Sequence, residues 1–442
     1  MIRSDADAGA RRGALYALGC CGSTASRATG DIATQLRHEK PVVRQNAAWA
    51  LGKIGQASNS VLNSLIEQVK KPGEDSTVKR DIAVALLNLK KNLSDEQAVA
   101  AAMALGEACN DRDPASYRAC LTALWNIVNP RFAQGENDLK PVVTAFRGAL
   151  KNGDPLVKEL VAGATAHLGQ HAAPALPELL ALAGDARATA AARRNAAVAV
   201  ASIARQNPDA LAQAEIMKAM AKLLKPGQPS QVREFIAESA VRVLQNGDDD
   251  LVQAVVDLCK EKPFLEIHGQ ELRTNYGARR SAVLGLIKLS PDRWTACKAP
   301  EVLTNILSEP ASAGPTAAQR QKVLRYHAAQ VLSMRLRAEV PPRTLNVLYE
   351  FLLDENIFEY RGTGTNVQGG SESQGGTSGA SAQLGIDARF MAAQCLTRIG
   401  REGFKKVDAQ LQRQILEQLR KLQNSKHKEV RDAVKEALEA IQ

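Results

Sequence analysis

A short helical pattern recurs along this chain, and its recurrence limits the possible folds more than any other feature. In "VVRQNAAWALGKIG", residues 42–55, Arg44 is followed by small or apolar residues three, four, seven and ten positions later. Those spacings fall on one face of an α-helix. The glycine eleven positions after the arginine suits the left-handed residue that ends a helix. The pattern therefore predicts one amphipathic helix with a defined end.

The same spacing returns in eleven copies, each anchored on a basic residue, with anchors 33 to 64 residues apart. A second apolar pattern, such as "SVLNSLIEQVKK", lies between copies, so each unit is predicted to be a helix pair. We call the anchored helices B helices and the helices before them A helices. Glycines follow several B helices at Gly22, Gly55, Gly169 and Gly400. The anchors, named the basic ladder, are Arg11, Arg44, Lys79, Arg118, Lys158, Arg193, Arg233, Arg279, Arg325, Arg389 and Arg431.

The recurring "D…VR..AA.ALG.IG" resembles the HEAT repeat, in the short bacterial form also found in phycobilin-lyase-type repeats. The resemblance implies an all-α fold, a right-handed α-α superhelical solenoid of about eleven helix-pair repeats. It also implies a surface that binds other macromolecules, and no particular chemistry. We expect one solenoid over residues 1–442, with a capping helix at 425–442 and a disordered Gly/Ser-rich insert at 361–385.

Composition agrees with this reading and says little about location or partner. The 442 residues exceed what one compact core usually holds, and aromatic residues make up only 4%. The net charge of +10 is compatible with acidic partners without selecting them. Seven cysteines without metal-type spacing favour a reducing compartment, and we expect a cytoplasmic protein. No stretch is apolar for long enough to predict a membrane span.

Three intervals are long because each carries extra residues between its A and B helices. The inserts are residues 261–278, 309–319 and 355–385. Loops of this kind emerge along one edge of a solenoid, so the three inserts are predicted to form one lip, and insertions on one face often mark a binding face. Tolerated surface insertion is the alternative. The candidate contacts for a protein partner are Phe264, His268, Arg273, Tyr276, Tyr360 and Arg361.

The basic ladder has two interpretations. It could bind phosphates, because neutralised phosphates dominate nucleic-acid affinity, and HEAT-like DNA glycosylases show that such an architecture can hold a duplex. Alternatively, it could pair from repeat to repeat with acids near the turns, such as Asp75, Asp113 and Asp154. The second interpretation is favoured, since aromatic residues interleaved with a basic groove are largely absent.

No residue pattern predicts catalysis, a metal site or a bound cofactor. His167 and His171 have ligand spacing but lie at a helix end without a neighbouring cysteine. The HEAT-repeat di-iron hydroxylases need several His-Glu pairs, and only His38-Glu39 occurs here. The run Asp248-Asp249-Asp250 suits the first turn of a helix better than a calcium site. Phosphate-binding loops and nucleophile elbows are missing.

The leading hypothesis is therefore a non-enzymatic scaffold that binds a protein along the concave face and the lip. The alternatives are nucleic-acid binding through the ladder and, by family analogy alone, a lyase-like helper of cofactor attachment. The first repeat lacks most of its A helix, so Leu15 and Leu18 would be exposed. We expect residues preceding Met1, or another chain, to cover that end.

Overall fold

The chain divides into two compact units, Met1–Ala210 and Leu211–Gln442. The computed structural model describes residues 7–108, 113–132, 140–152, 155–268, 271–310, 315–337, 340–354, 357–360 and 384–442. Each unit is a stack of helix pairs. The first unit contains α1 Ala8–Cys20, α2 Thr29–Thr34, α3 Pro41–Ile54, α4 Asn59–Lys70, α5 Ser76–Asn88, α6 Asp95–Ala108, α7 Pro114–Phe132, α8 Lys140–Asn152, α9 Pro155–Leu168, α10 Leu176–Gly184 and α11 Ala190–Gln206.

The second unit continues the alternation and adds two short antiparallel strand pairs. Its helices are α12 Ala214–Leu224, α13 Ser230–Val243, α14 Asp249–Lys260, α15 Tyr276–Gly285, α16 Pro291–Ala296, α17 Ala299–Leu307, α18 Pro315–Arg335, α19 Pro342–Leu353, α20 Ala388–Phe404, α21 Ala409–Leu422 and α22 Lys428–Ile441. Its strands are β1 Leu265–His268, β2 Glu271–Thr274, β3 Ile357–Tyr360 and β4 Leu384–Asp387. The predicted capping segment 425–442 contains α22.

Two layers of helices build each unit. In the first unit every B helix (α1, α3, α5, α7, α9, α11) contacts the next B helix, and the A helices (α2, α4, α6, α8, α10) contact one another in the same order. In the second unit α13, α15, α18, α20 and α22 are the B helices, and α12, α14, α17, α19 and α21 are the A helices. The predicted all-α solenoid architecture is confirmed in each unit, since every repeat packs on its sequence neighbours.

The core lies between the two layers. On α3 the buried residues include Ala47, Ala48 and Leu51, which belong to the apolar face that the sequence pattern predicts. Small residues let the B helices approach closely: a Cβ atom on Gly52 would lie 2.9 Å from the Cα atom of Ala85 on α5. The abundant alanine of the chain therefore serves helix-to-helix contact as well as helix propensity.

The glycines predicted to end the B helices all have positive φ, between 52° and 71°. Gly55 has φ 71° and ψ 7°, and its N–H donates to the Leu51 carbonyl, so it ends α3 in the left-handed conformation as predicted. Gly400 differs, because its ψ is −176° and α20 resumes after a kink there. Only glycine adopts that backbone geometry readily.

The strands are the main departure from the predicted all-α fold. β1 pairs with β2 so that Leu265 faces Thr274, and β3 pairs with β4 so that Ile357 faces Asp387. Each pair lies in an insert between an A helix and its B helix. Four residues per strand are too few for a period-two pattern to stand out. Residues 361–383 of the predicted disordered insert lie outside the described residues, whereas Leu384 and Gly385 belong to β4.

The second predicted insert, residues 309–319, is partly helical, because α18 begins at Pro315. At the other end of the chain, Leu15 on α1 is fully buried. The expectation that the first repeat would expose Leu15 is therefore wrong. Leu18 is half-buried.

Candidate interaction surface

The basic ladder occupies one fixed place in the repeat. Its residue is the fourth of the helix in α1, α3, α5, α9, α11, α13, α15 and α22. In α7 the fourth residue is Tyr117, which is buried, while the aligned anchor Arg118 is exposed. In the fourth copy, therefore, Tyr117 holds the ladder position, one residue before the anchor Arg118 that the repeated pattern selected. Arg325 lies far into α18 because that helix extends toward its N-terminus.

Three ladder arginines each bind a carboxylate of the following repeat. Arg44 on α3 donates to Glu74, with Nε 3.0 Å from Oε2. Arg279, with 0% of its surface exposed, forms an ion pair with Glu309, and Arg233 forms one with Glu261. In each case the acid lies in the turn between the A and B helices of the next repeat. These buried ion pairs join consecutive repeats.

The same arginines also bind the turn of their own repeat. Arg233 Nε lies 2.9 Å from the Leu224 carbonyl oxygen, and Arg279 NH2 lies 3.1 Å from that of Cys259. Both carbonyls belong to the A helix of the same repeat, near its C-terminal end. Helix C-termini carry carbonyls without an intrahelical partner. One guanidinium thus donates both to a carbonyl at the end of its own A helix and to a carboxylate of the next repeat. We call this arrangement the clamp.

Other ladder residues use parts of this arrangement. Arg193 Nε donates to the Ala183 carbonyl at 3.0 Å, and Arg431 to that of Ser425 at 2.6 Å. Arg389 pairs with Asp387 of its own repeat. Arg325 lies over the Phe351 ring at 5.2 Å, and Arg11 donates to Gln35 at 3.0 Å. Lys79 and Lys158 are half-buried.

Two of the acids proposed from sequence as ladder partners accept backbone hydrogen bonds at the start of a helix. Asp75 accepts from the Thr77 N–H at 2.8 Å and Asp113 accepts from the Ser116 N–H at 2.7 Å. Both contacts lie at the first turn of a B helix. Asp154 lies outside the described residues. Asp248 caps α14 and is followed by Asp249 and Asp250 in the first turn, as the sequence predicted.

Glu74 gives the clamp a pH dependence. Burial alone would raise its pKa, but hydrogen bonds from Arg44, the Asp75 N–H and Gln68 hold the pKa below the usual value. A carboxylate with a lowered pKa in the folded state stabilises the protein above its unfolded-state pKa, about 4.3, and that contribution is lost as the pH falls through the folded-state value.

We therefore expect Glu74→Gln to destabilise the protein at neutral pH and to matter less in acid. The measurement is the urea midpoint of wild type and variant, by circular dichroism, at neutral pH and at several pH values below about 4.3. The gap between the midpoints should shrink as the pH falls. A gap that is the same at every pH would contradict the lowered pKa.

The predicted lip residues are placed differently from one another. Phe264 is half-buried, and its N–H donates to Asn275 Oδ1 at 3.2 Å. Tyr276 is only 5% exposed, so it offers little surface to a partner. His268 lies in β1, Arg273 in β2 and Tyr360 in β3. Arg361 lies outside the described residues.

The B helices of the first unit leave one side uncovered, which we call the B face. On α3 its residues are Val42, Gln45, Asn46, Trp49 and Lys53, all at least partly exposed, whereas the residues between them are mostly buried. Counted from the ladder residue, these positions are −2, +1, +2, +5 and +9. The same positions are open on the other B helices of this unit. The B face is therefore continuous from α1 to α11.

Aromatic side chains are ordered on this face. Tyr16 of α1 stacks on Trp49 of α3, with ring centroids 5.0 Å apart and planes 7° apart, and Lys53 Nζ lies 5.8 Å from the Trp49 ring centroid. Gly19 on α1 leaves space for this ring, since a Cβ atom there would lie only 2.3 Å from Trp49 Cζ3. Trp125 of α7 and His167 of α9 pack edge to face, with ring centroids 4.4 Å apart. These contacts fix the rings that a partner would meet.

A cleft of about 590 Å³ lies elsewhere in the first unit, among α8, α9 and α10. Glu178 binds Arg147 at 2.9 Å and Lys151 at 3.1 Å inside it. Lys158 and Asp185 complete the charged lining. Since the carboxylates offset most of the positive charge, this cleft does not form a strong anion site.

Several negative findings apply to the described residues only. There, histidine, cysteine and acidic side chains form no group of three that could hold a metal ion. No helix in the described part of the chain has the length and apolar character needed to cross a bilayer. Cys120, Cys259 and Cys395 are buried cysteines, and burial raises the pKa of the Cys259 and Cys395 thiols to about 12. Cys109 is not among the described residues.

Residues 1–87, which span α1 to most of α5, match the family model for HEAT repeats. This segment of the chain carries HEAT repeats. The match does not distinguish the phycobilin-lyase-type subgroup, which stays a prediction. The matched segment holds the first three B helices, including the Arg44–Glu74 clamp and the Tyr16–Trp49 stack.

Two solved structures are similar to this chain over most of its length. An engineered protein determined by a structural genomics consortium is 18% identical, with 93% of this chain and 98% of that chain covered and a TM-score of 0.49. A chain from work on a phosphorylation switch in the interaction between cadherin and β-catenin is 12% identical, with 94% and 75% covered and a TM-score of 0.42. A search of curated proteins gave no match.

Sequence reasoning missed the basic residues that directly follow three ladder residues, at position +1 of the B face. Arg12 and Arg194 are exposed, and Arg80 is partly exposed. The doublets Arg11-Arg12, Lys79-Arg80 and Arg193-Arg194 carry the signal. A buried residue and its neighbour in a helix point about 100° apart, so the second basic residue of such a doublet reaches solvent.

Proposed function

We propose that this HEAT-repeat chain is a non-enzymatic scaffold that binds a protein partner along the B face. The observation that carries the proposal is the placement of exposed large apolar residues. Six are exposed among the described residues, and four of them project from the B face; the four are Tyr16, Val42, Val84 and Leu160. Grouped exposed apolar side chains mark binding surfaces, whereas single scattered ones do not.

Three of these four lie on α1, α3 and α5, B helices that contact one another in sequence. Tyr16 is 56% exposed although it stacks on Trp49. Aromatic residues held in a fixed rotamer lose little entropy on binding and are common at interface centres. Val42 and Val84 lie on α3 and α5, the next two B helices. We infer that the centre of the interface is on α1, α3 and α5.

The lip of the second unit belongs to the same proposal as a second contact region. β1–β2 and β3–β4 both precede B helices, and β3 contacts α18 while β4 contacts α20. A loop edge beside the B helices of the second unit would give that unit a contact region of its own. Phe264 is the described lip residue with partial exposure that supports this region.

Nucleic-acid binding through the ladder is less well supported. Arg44, Arg233 and Arg279 are buried and bound to carboxylates, so they are not available to phosphates. A salt titration with labelled DNA and RNA separates the two functions, because phosphate contacts give a steep loss of affinity with rising salt.

The test changes two B-face residues and compares them with another exposed apolar residue, Leu353, which lies at the end of the A helix α19. Tagged wild type, Tyr16→Asp/Val84→Asp and Leu353→Asp are used to capture proteins from the source cells, with quantitative mass spectrometry. Any captured protein is then purified and its affinity measured directly.

We expect the double variant to weaken binding of the purified partner by roughly tenfold or more, since central apolar contacts dominate interface energy. Leu353→Asp should bind like wild type. Circular dichroism checks that all three proteins are folded. Equal binding by the double variant and wild type would contradict the assignment of the B face, and capture of labelled nucleic acid alone would contradict the proposed function.

A further inference from the structure

The B face of the first unit carries a second regular feature, a row of arginines. Position +1 is Arg12 on α1, Arg80 on α5, Arg118 on α7 and Arg194 on α11, which we call the basic row. Two helices have no basic residue at this position, since it is Gln45 on α3 and Glu159 on α9. Arg118 fits this row because Tyr117 holds the ladder position in its helix. The displaced register of the fourth repeat thus places an arginine in the row.

A parallel row of apolar residues lies one helical turn further along. Position +5 is Tyr16, Trp49 and Val84 in the first three repeats, and Val198 on α11. Residues four apart in a helix are neighbours on one face, about 6 Å apart. Arg12 therefore stands beside Tyr16, and Arg80 beside Val84. The B face offers positive charge along one edge and apolar surface along the other.

The charge of this face is not cancelled locally. At the five B-face positions of the six repeats there are five cations, Arg12, Lys53, Arg80, Arg118 and Arg194, against two anions, Asp81 and Glu159. Arg80 pairs with Asp81 at 2.8 Å. Within the described part of the chain, Arg12 and Arg118 are exposed and make no ion pair. Carboxylates of a partner could therefore form ion pairs with these two arginines.

We propose that the segment bound by this face is acidic and amphipathic, with carboxylates along the basic row and apolar side chains along the apolar row. The inference rests on the proposed function and specifies the chemistry of the partner. The excess of five cations over two anions on the B face supports it, since facing potentials of opposite sign favour association and exclude wrong partners.

A nucleic acid fits the same face less well. Tyr16 and Trp49 stack on each other, which covers ring surface that bases would need. Val42, Val84 and Leu160 are aliphatic and exposed, and they suit apolar side chains better than a phosphate backbone. Asp81 and Glu159 would repel phosphates at two of the six repeats.

The experiment uses the full chain and three fluorescein-labelled synthetic peptides. They share the same leucine and phenylalanine positions and differ only in the polar positions, which are all Glu, all Gln or all Lys. A labelled DNA duplex is the fourth probe. Anisotropy gives the affinity of each probe at low and high salt for wild type and for two variants with equal charge change. Arg12→Glu/Arg118→Glu reverses the basic row, and Arg27→Glu/Lys70→Glu reverses exposed cations off the B face.

We expect wild type to bind the Glu peptide most tightly, with an affinity that falls as salt rises. The Arg12→Glu/Arg118→Glu variant should weaken that binding by roughly tenfold, and Arg27→Glu/Lys70→Glu should bind nearly like wild type. Equal affinity for the three peptides, no binding of the Glu peptide, or equal loss in both variants overturns the proposal. Tighter binding of the duplex also overturns it and indicates a nucleic-acid partner.

These outcomes are separable from those of the proposed function. If the peptides bind equally and Tyr16→Asp/Val84→Asp abolishes binding of all three, the apolar B face still acts as a docking surface. In that case only the acidic character of the partner is wrong.

Discussion

Arg279→Ala should lower the stability of the second unit by about 3–5 kcal/mol, because it breaks a buried ion pair by removing one partner. The Arg279 side chain is fully buried, pairs with Glu309 and donates to the Cys259 carbonyl. Without it, a largely buried carboxylate and a helix-end carbonyl lose their hydrogen bonds. Leaving such groups unsatisfied costs more than the net value of the bond itself.

Arg398→Ala is the control, since this arginine is exposed on the B helix α20 of the same unit. Its removal should cost less than about 1 kcal/mol. The measurement is urea unfolding followed by circular dichroism, read as the shift in midpoint, because a chain of two units need not unfold in one step. Similar shifts for the two variants would mean that the Arg279 clamp does not stabilise the fold. Arg279→Ala/Glu309→Gln should recover part of the loss, because it removes the buried charge left behind.

Gly52→Ala should destabilise the first unit by about 1–3 kcal/mol, the usual cost of overpacking a tight contact. A Cβ atom at this position would lie 2.9 Å from the Ala85 Cα atom and 3.2 Å from its Cβ atom. Both atoms are part of the backbone or attached directly to it, so no side chain can rotate away. The helices α3 and α5 would have to separate.

Gly13→Ala is the control, because it lies inside α1 with nothing within 4 Å of its Cβ position. Alanine in an exposed helix interior is more favourable than glycine by about 0.5–1 kcal/mol. The two identical substitutions should therefore shift the urea midpoint in opposite directions. Destabilisation by both would point to a general effect of substitution and not to the α3–α5 contact.

The helices could be predicted because their signal is repeated and local. The apolar positions after Arg44 that the sequence pattern selects, Ala47, Ala48, Leu51 and Ile54, are all buried. Eleven copies of one pattern average out the irregularities of any single copy. Arg335, which breaks the apolar pattern in α18, is accommodated because it donates to the Leu289 carbonyl at 2.5 Å and lies over Trp294.

The details of the clamp could not be predicted, because its parts come from different repeats. Glu74 and Asp75 are adjacent, and only the folded turn decides that Glu74 binds Arg44 while Asp75 caps α5. Tyr117 has no charge to reveal that it occupies a ladder position. The strands were missed because β3 and β4 are brought together from residues 357–360 and 384–387, a pairing that local sequence cannot specify.

The candidate surface was only partly foreseeable. The ladder is the most regular polar feature of the sequence, yet its most regular members are bound within the fold. The arginines that face solvent are the less regular ones next to them. Regularity in a repeat protein reflects what every repeat needs for folding, whereas recognition uses the positions that repeats do not need to share.

The clamp also makes the contacts between repeats directional along the chain. In the second unit Arg233 pairs with Glu261 and Arg279 pairs with Glu309. Each arginine therefore binds a carboxylate of the next repeat, or module, toward the C-terminus. Excising one whole module, from a point in one B helix to the equivalent point in the next, would leave every remaining donor with an acceptor. Replacing the sequence after a clamp arginine with an unrelated module would leave that arginine without its carboxylate. Duplication or deletion of whole modules that carry the clamp would therefore preserve these ion pairs.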